Sequence, residues 1–253
     1  MARMHLDTVS LRAVDCVAAV LEVAREHADP RVREAALHLA AWDCRMEPDR
    51  VAASIFNVFF THWCQRVADE RFSGELALMA AGANGGLSAE LLTGDLAGWF
   101  GDEVKRRNAL GDSLQAALAF LEQKLGRDMM GWNWGRLHIL QRKHILSGRG
   151  DLGVLLDRGG EPVRGDYVTV CNTGQAADYS APTGAGYRMV ADLADPQARL
   201  WAVDVGSQSG CPGSAHYDDQ IGVWQRGEYH ELSLLGDSVG GPGARTLELR
   251  PNR

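Results

Sequence analysis

The sequence lacks the features of a membrane-spanning protein and of a chain with a recognisable export signal. No run of apolar residues reaches the roughly 20 that a membrane-crossing helix needs. The first residues, Met1-Ala2-Arg3-Met4-His5-Leu6-Asp7, include no long apolar core, so no secretory signal is visible in this chain. We therefore expect no membrane partner.

Cysteine is also scarce. The chain has five cysteines, an odd number, and no two of them stand at C-x-x-C spacing. Disulfide frameworks and zinc sites both depend on paired cysteines, so we expect neither. Cys16 and Cys64 fall on apolar faces of predicted helices, which favours buried free thiols at these two positions.

Positive charge is in the minority. The net charge is −7 with histidine neutral, and an acidic chain binds nucleic acid poorly unless its basic residues are segregated. The densest basic run, Lys105-Arg106-Arg107, is typical of a solvated helix face. We therefore expect no nucleic-acid partner.

The first half of the chain has helical periodicity. Apolar residues recur at helical spacing over residues 11–24 and again over residues 55–67. Asp29-Pro30 is typical of a helix cap followed by a first-turn proline, and predicts a helix that runs to about Trp42. These patterns favour a region of packed helices.

Two further signals complete this helical region. Gly82 to Gly86 concentrates glycine and predicts a loop. Asp112 precedes a periodic apolar run and is interpreted as the cap of a helix that ends near Leu125. Residues 1–125 are therefore predicted to be helical.

Strand signals dominate after Gly126. Short apolar or alternating runs between turn residues predict strands over residues 135–139, 167–170, 187–193 and 200–204. The start of a short helix is predicted over residues 220–224. The order of helices first and strands second predicts the α+β class, with a helical region 1–125, a strand-rich region 126–235 and a loose tail 236–253.

One stretch near the C-terminal end, residues 206–220, gathers small and polar residues. Ser214, His216 and Asp218 stand in a row like a catalytic triad. Alternate residues of an extended segment point the same way and lie too close for a relay, so we interpret them as structural. His138 and His144 lack a clear carboxylate or cysteine partner and are interpreted as core or surface histidines rather than metal ligands.

Four runs together resemble one known family. The first run is Leu6-Asp7-Thr8-Val9-Ser10-Leu11-Arg12-Ala13, and the second is Trp42-Asp43 with Met46 and residues 52–56. The third run is Trp132-Asn133-Trp134-Gly135-Arg136-Leu137-His138, and the fourth is residues 206–224 followed by Gly227-Glu228-Tyr229. In order and spacing the chain resembles the C-terminal half of the β subunit of the penicillin acylase (penicillin amidase) family. The W-x-W-G-x-x-H and S-x-H-Y-x-D-Q patterns carry the resemblance, which covers residues 6–232.

The resemblance implies a fold and a chemistry. Family members are N-terminal nucleophile hydrolases with a four-layer αββα core, of which this chain would form a part. A serine at the new N-terminus of the β chain attacks a linear amide and uses its own α-amine as the base, while an Asn side chain and a backbone N–H hold the oxyanion. The resemblance also implies a small acyl-amide substrate or a β-lactam side chain, and a periplasmic or secreted parent protein.

The resemblance places this chain after the catalytic serine, and position 1 is Met. We therefore expect one domain fragment, a C-terminal portion that lacks the nucleophile and pairs with the N-terminal nucleophilic half. The alternatives are a separately encoded, non-catalytic subunit or interaction module, and a reading frame that starts at an internal Met. No cofactor is expected, because the family's calcium ligands lie upstream of the region that this chain matches.

The remaining site predictions follow from the same resemblance. Asp192 matches a strand position at which some relatives carry a glutamate that orients a histidine, so it is a weak catalytic candidate; a strand-end Asp with backbone contacts is the alternative. Ser207 and Ala215 depart from the usual glycine and proline. The residues predicted to hold the structural motif are Gly206, Gln208, Ser209, Gly210, Ser214, His216, Tyr217, Asp218, Gln220, Trp134, Gly135 and His138.

Overall fold

The computed structural model describes residues 1–95, 98–194, 196, 199–233, 248 and 250. The chain divides into two compact units. The larger unit is Asp7–Gly184, and the smaller unit combines Met1–Leu6 with the chain from Ala185 onward. The division between the units therefore falls between Gly184 and Ala185.

The larger unit is mostly helical. Side chains cap three of its helices: Ser10 accepts a hydrogen bond from the N–H of Ala13, Asp29 from that of Arg31 and Asp102 from that of Lys105. The helices are α1 (Leu11–Glu26), α2 (Pro30–Ala40), α3 (Val51–Asp69), α4 (Gly74–Ala83), α5 (Gly85–Thr93), α6 (Glu103–Leu125) and α7 (Leu152–Leu156).

Helix α3 is the centre of the larger unit. Thirteen of its nineteen residues are buried, because helices pack on it from several sides. The Trp63 ring stacks on Phe100 with the centroids 5.3 Å apart, and its indole N–H donates to the carbonyl oxygen of Ser88 at 2.7 Å. A helix that is apolar on nearly every side in this way forms the core of its unit.

The chain after α6 in the larger unit is largely irregular. Two 3₁₀ turns, Met129–Gly131 and Trp134–Arg136, lead into a two-stranded antiparallel sheet of β1 (Ile139–Arg142) and β2 (Arg158–Pro162). From Val163 to Gly184 the described backbone consists of turns and isolated bridges. Backbone hydrogen bonds in this segment reach back to the carbonyl oxygens of Asp7 and Met46.

The smaller unit holds a three-stranded antiparallel sheet in the order β3-β4-β5. Met189 pairs with Ala202, and Ala202 with His230, so these three residues share one face. The elements are a 3₁₀ turn (Ala2–Leu6), β3 (Tyr187–Ala191), β4 (Arg199–Asp204), α8 (Asp219–Arg226) and β5 (His230–Ser233).

The α+β class is confirmed, and so are the helices around residues 11–24, 30–40 and 55–67, the strands at 187–191 and 200–204, and the helix at 220–224. Cys16 and Cys64 are buried, as expected. The tail 236–253, predicted to be loose, lies outside the described residues except for Glu248 and Arg250.

Four local predictions are wrong. Gly82, Gly85 and Gly86 are helical, and Asp112 lies inside α6, which Asp102 caps. Of residues 135–139 only Ile139 belongs to a strand, because residues 135–136 end a 3₁₀ turn, and residues 167–170 form turns. Tertiary contacts override the local signals at these positions.

The basic run at the start of α6 is also more than a solvated face. Arg106 is buried, and its guanidinium donates to the carbonyl oxygens of Leu91 and Leu92 at 2.9 and 2.7 Å. These carbonyl groups lie in the last turn of α5, so Arg106 acts as a C-terminal cap for that helix.

Candidate functional site

The W-x-W-G-x-x-H run forms a buried cluster in the larger unit. Trp132, Trp134 and His138 are all fully buried. The Trp134 indole N–H donates to the carbonyl oxygen of Gly165 at 3.1 Å, and its ring stacks on His138 with the centroids 4.5 Å apart. The second tryptophan and the histidine of the run are therefore packed directly on each other.

Gly135 occupies the tightest position of this cluster. Its N–H donates to the carbonyl oxygen of Pro48 at 2.8 Å. A Cβ atom at this position would lie 2.7 Å from Cβ of Pro162 and 2.9 Å from Cβ of Pro48. Because both neighbours belong to rigid proline rings, only glycine fits here.

His138 makes two hydrogen bonds inside the cluster. Its Nδ1 lies 2.8 Å from the carbonyl oxygen of Tyr179, and its Nε2 lies 2.8 Å from the Thr173 hydroxyl. A carbonyl oxygen can only accept, so Nδ1 carries the proton and Nε2 accepts from Thr173. Burial lowers the pKa of His138 to about 4. The imidazole is therefore neutral, and its one lone pair accepts from the Thr173 hydroxyl, which is itself fully buried.

The bond from His138 reaches a residue with an unusual backbone conformation. Tyr179 has φ of 69°, in the left-handed region that is costly for a residue with a side chain. Its carbonyl oxygen accepts from His138, and its ring packs on Phe120 with the centroids 5.3 Å apart. Burial raises the pKa of the Tyr179 phenol to about 12, so the phenol is neutral. The cluster thereby positions one wall of a neighbouring cavity.

This cavity has a volume of about 690 Å³ and lies beside α3, α4 and α6. Its size falls within the range of small-molecule pockets. The described residues that line it include no Asp, Glu, Lys or Arg, although these make up 23% of the chain. Its walls are Thr61, His62, Cys64, Gln65, Leu78, Ala81, Gly82, Phe120, Tyr167, Gln175, Ala176, Ala177 and Tyr179.

The cavity contains a histidine and a cysteine, the residue types of one kind of nucleophilic dyad. Burial lowers the pKa of His62 and raises the pKa of the Cys64 thiol, so both groups favour their neutral forms. They stand two residues apart on α3, a spacing at which side chains do not face each other. This pair therefore does not have the geometry of a cysteine–histidine dyad.

The second motif, in residues 206–220 of the smaller unit, is held by Asp219. The Ser207 hydroxyl donates to Asp219 Oδ1 at 2.7 Å, and His216 Nδ1 lies 2.8 Å from Asp219 Oδ2. Ser207 Oγ also accepts from the N–H of Gln220 at 3.1 Å, which caps the start of α8. The contact with His216, and then that with Ser207, lowers the pKa of Asp219.

The predicted row of Ser214, His216 and Asp218 does not form a relay. Ser214 Oγ accepts from the backbone N–H of His216 at 3.1 Å, while the His216 ring pairs with Asp219. Asp218 precedes α8 as its N-cap residue, without a side-chain capping bond. The S-x-H-Y-x-D-Q pattern already contained the missed partner, since its fixed acidic residue is Asp219.

The other residues of this motif lie along the same turn. Gln220 Oε1 accepts from the N–H of Asp204 at 2.8 Å, which ties α8 to β4. Gly206 is buried and Gln208 exposed. A Cβ atom at Gly210 would meet no atom within 4 Å. The remaining members form local bonds: Ser209 Oγ accepts from the N–H of Cys211, and Tyr217 N–H donates to the carbonyl oxygen of Ser214.

Asp192 lies just after β3 and is exposed. Its Oδ1 accepts from the N–H of Ala194 at 3.0 Å, and its own N–H donates to the carbonyl oxygen of Arg199 at 3.3 Å. The side chain closes a turn at the end of the strand. This is the geometry of the strand-end alternative.

His144 belongs to a surface turn of the larger unit. Its Nδ1 accepts from the N–H of Leu146 at 3.1 Å, and its N–H donates to Asp157 Oδ1 at 2.9 Å. Among the described residues, no group of three His, Cys, Asp or Glu side chains is arranged to hold a metal ion. Within the same part of the chain, no helix is both long and apolar enough to cross a membrane.

Comparison with known proteins identifies a matching family and several relatives. The sequence matches the family model of penicillin amidase over residues 1–239. It is 27% identical over 250 residues to the acyl-homoserine lactone acylase QuiP of Pseudomonas aeruginosa, covering 88% of this chain and 29% of that protein. It is 29% identical over 268 residues to the penicillin acylase 2 proenzyme of Pseudomonas sp. strain SE83, covering 99% of this chain and 33% of that protein.

A solved structure has the same fold. The thermostable penicillin G acylase from Alcaligenes faecalis superimposes with a TM-score of 0.55 and 13% identity, covering 98% of this chain and 48% of that chain. At this identity the likeness shows the fold alone, which is the N-terminal nucleophile hydrolase fold. The chain spans 29% and 33% of the length of the two curated relatives named above.

Proposed function

The chain belongs to the penicillin amidase family, and from this premise we propose that it is the C-terminal portion of an acylase-type amidohydrolase. In this proposal it works with a nucleophilic half that supplies the catalytic serine. The relatives are acylases by name, and the chain matches about a third of their length. The chemistry would be hydrolysis of a linear amide, with transfer of the acyl group to the serine and then to water.

The observation that carries the proposal is a group of exposed apolar side chains on one face of the three-stranded sheet, in the part of the chain that the structure describes. Tyr187, Met189 and Leu232 are its large exposed apolar residues, at 61%, 46% and 44% exposure. Arg188 points to the opposite face from Tyr187 and Met189, where it is buried, donates to the carbonyl oxygen of Trp224 and lies over that ring at 5.1 Å. A sheet with one face covered and apolar side chains left open is suited to a further layer of protein.

The two motifs support a scaffolding role. The His138 ring is committed to Tyr179 and Thr173, and the His216 ring is paired with Asp219. The hydroxyl that donates to His138, that of Thr173, is fully buried and therefore out of reach of a substrate. In the proposal these groups stabilise the fold of this chain, which in turn supports the nucleophilic half. The parent protein is proposed to be periplasmic or secreted, as the family resemblance implies.

Co-expression tests the proposal. This chain, expressed together with a polypeptide that matches the nucleophilic half of the family, should elute with it as a stable 1:1 complex on a sizing column. Met189→Glu should weaken this complex because it places a charge on the open sheet face. Leu193→Glu is the matched control, since Leu193 is 97% exposed in the turn after β3.

Elution of the two polypeptides as independent species would contradict the proposal. The coding sequence distinguishes the two forms of the proposal, in which this chain is either part of a precursor or a separate subunit. An open frame that runs upstream to a Gly-Ser cleavage junction would make both halves one precursor, and a separate frame would make this chain a separately encoded, non-catalytic subunit.

A further inference from the structure

Helix α4 of the larger unit presents an apolar surface to solvent. Leu76, Leu78 and Met79, here called the α4 surface, are 56%, 65% and 73% exposed. The only charged residue in the helix, Glu75 in its first turn, stands three residues before Leu78 and four before Met79, so it borders the α4 surface. Surface helices of soluble proteins ordinarily place charged and polar residues on the side away from the core, so this helix is suited to a covered position.

The α4 surface continues into the uncharged cavity described above. Leu78 belongs to both, while Leu76 and Met79 lie outside the cavity lining. A small molecule in the cavity would therefore leave two of the three exposed side chains in water. An occupant that covers the whole region must extend beyond the cavity, as a polypeptide segment does.

The lining restricts the chemistry of this occupant. With no charged side chain among the described lining residues, a buried carboxylate, phosphate or ammonium group would find no opposite charge to offset its desolvation. The Gln175 Oε1 atom is buried without a hydrogen-bond partner, so the region lacks one donor. An apolar segment that brings neutral N–H donors matches both features.

We propose that the α4 surface and the adjoining cavity form the docking site for an uncharged, apolar segment of the nucleophilic half. This inference rests on the proposed function. The lengths of the relatives support a different polypeptide rather than a second copy of this chain, because about 70% of the QuiP relative lies outside the matched region. The docking site is separate in the chain from the open sheet face, which belongs to the smaller unit.

The first test changes the surface charge. Leu78→Glu places a carboxylate at the junction of helix and cavity and should weaken association of the co-expressed halves at least tenfold, measured as Kd by titration calorimetry. Ile145→Glu is the matched control, because Ile145 is 93% exposed, belongs to the same unit and is not part of the lining. It should change Kd less than twofold.

The second test fills the cavity. A Cβ atom at Gly82 or at Gly86 would meet no atom within 4 Å, and neither residue needs a left-handed backbone. Gly82→Phe should extend a ring into the cavity and weaken association, whereas Gly86→Phe should not. The neutral dye Nile red should bind the unmodified chain with increased fluorescence, lose this signal when the complex forms, and bind Gly82→Phe poorly.

The outcomes separate this inference from the proposed function. If the unmodified halves do not associate at all, the proposed function fails. If they associate and Leu78→Glu behaves like Ile145→Glu, the docking site is wrong while the proposed function stands. Two further results would also overturn the inference: Nile red binding that persists in the complex, and a homodimer of this chain that Leu78→Glu dissociates.

Discussion

The W-x-W-G-x-x-H and S-x-H-Y-x-D-Q patterns are stabilised in different ways. In the larger unit, Trp134, Gly135 and His138 are buried and fixed by close packing and internal hydrogen bonds. In the smaller unit, Ser207, His216 and Asp219 form a partly exposed polar network around the start of α8. A family pattern therefore does not by itself indicate one kind of site, because packing selects one set of residues and helix capping the other.

The comparison also distinguishes the two histidines. The His138 imidazole is neutral and donates to the carbonyl oxygen of Tyr179, a residue with a left-handed backbone that lines the cavity. His216 has 72% of its side chain exposed and makes an ion pair with Asp219 when it is protonated. We expect substitutions in the buried cluster to cost several times more stability than those in the exposed network.

The largest effect is expected for Gly135→Ala. The added methyl group would overlap two proline rings, so the free energy of unfolding should fall by about 3 kcal/mol. Gly131→Ala is the control, because its new Cβ would meet only the flexible end of Arg136, at 3.3 Å. Urea unfolding measures the loss, and faster hydrogen exchange at the Trp134 amide assigns it to the larger unit. Equal losses in the two variants would contradict the packing account.

The second prediction concerns pH. The pKa of His138 is about 4 in the folded protein and near the ordinary value of about 6.5 when unfolded. Between these values the unfolded chain binds more protons, so stability is present above pH 6.5 and falls as the pH decreases. From pH 7 to pH 5 the loss should be about 2 kcal/mol.

His138→Gln should remove this part of the pH dependence in urea unfolding. Thr173→Val is the control, because it deletes the hydrogen bond to Nε2 but keeps the imidazole. It should lower stability and retain the slope. An unchanged slope in His138→Gln would show that the imidazole is not held neutral by burial.

A smaller effect is expected for Ser207→Gly. It removes the hydroxyl that caps α8, so the loss should be about 1 kcal/mol. Hydrogen exchange at the Gln220 amide should become about fivefold faster. Ser209→Gly should leave this amide unchanged, because the Ser209 hydroxyl accepts from Cys211 instead. Equal protection of the Gln220 amide in both variants would show that the Ser207 hydroxyl does not cap α8.

The smallest effect is expected for His216→Ala. The ring is mostly exposed, so loss of its contact with Asp219 should cost about 0.5 kcal/mol and less at high salt. In the assembled enzyme we expect a lower melting temperature with little change in the chemical step. An unchanged melting temperature together with lost turnover would give His216 a catalytic role.

The sequence predicted those parts of the fold that depend on local signals. Asp29-Pro30 marked the start of α2, and the alternating run at 187–191 marked β3. It failed where distant contacts decide the conformation. Asp112 resembles a helix cap but lies inside α6, because Asp102 caps that helix earlier in the chain.

The site was predictable to a similar extent. The interpretation of His138 as a core histidine agrees with its burial and its two bonds. The contact between His138 and Tyr179 joins residues 41 positions apart in sequence, and no local pattern indicates it. Asp219 was missed because the row of Ser214, His216 and Asp218 favoured the wrong carboxylate.

The assignment of the whole chain as a scaffold is tested by amide hydrolysis. Purified chain should be assayed with phenylacetyl, glutaryl and long-chain acyl amides, alone and in complex with the nucleophilic half. We predict no turnover by the chain alone and turnover by the complex. Turnover by the isolated chain that survives purification, and that a single Ser or Cys substitution within it abolishes, would contradict the account.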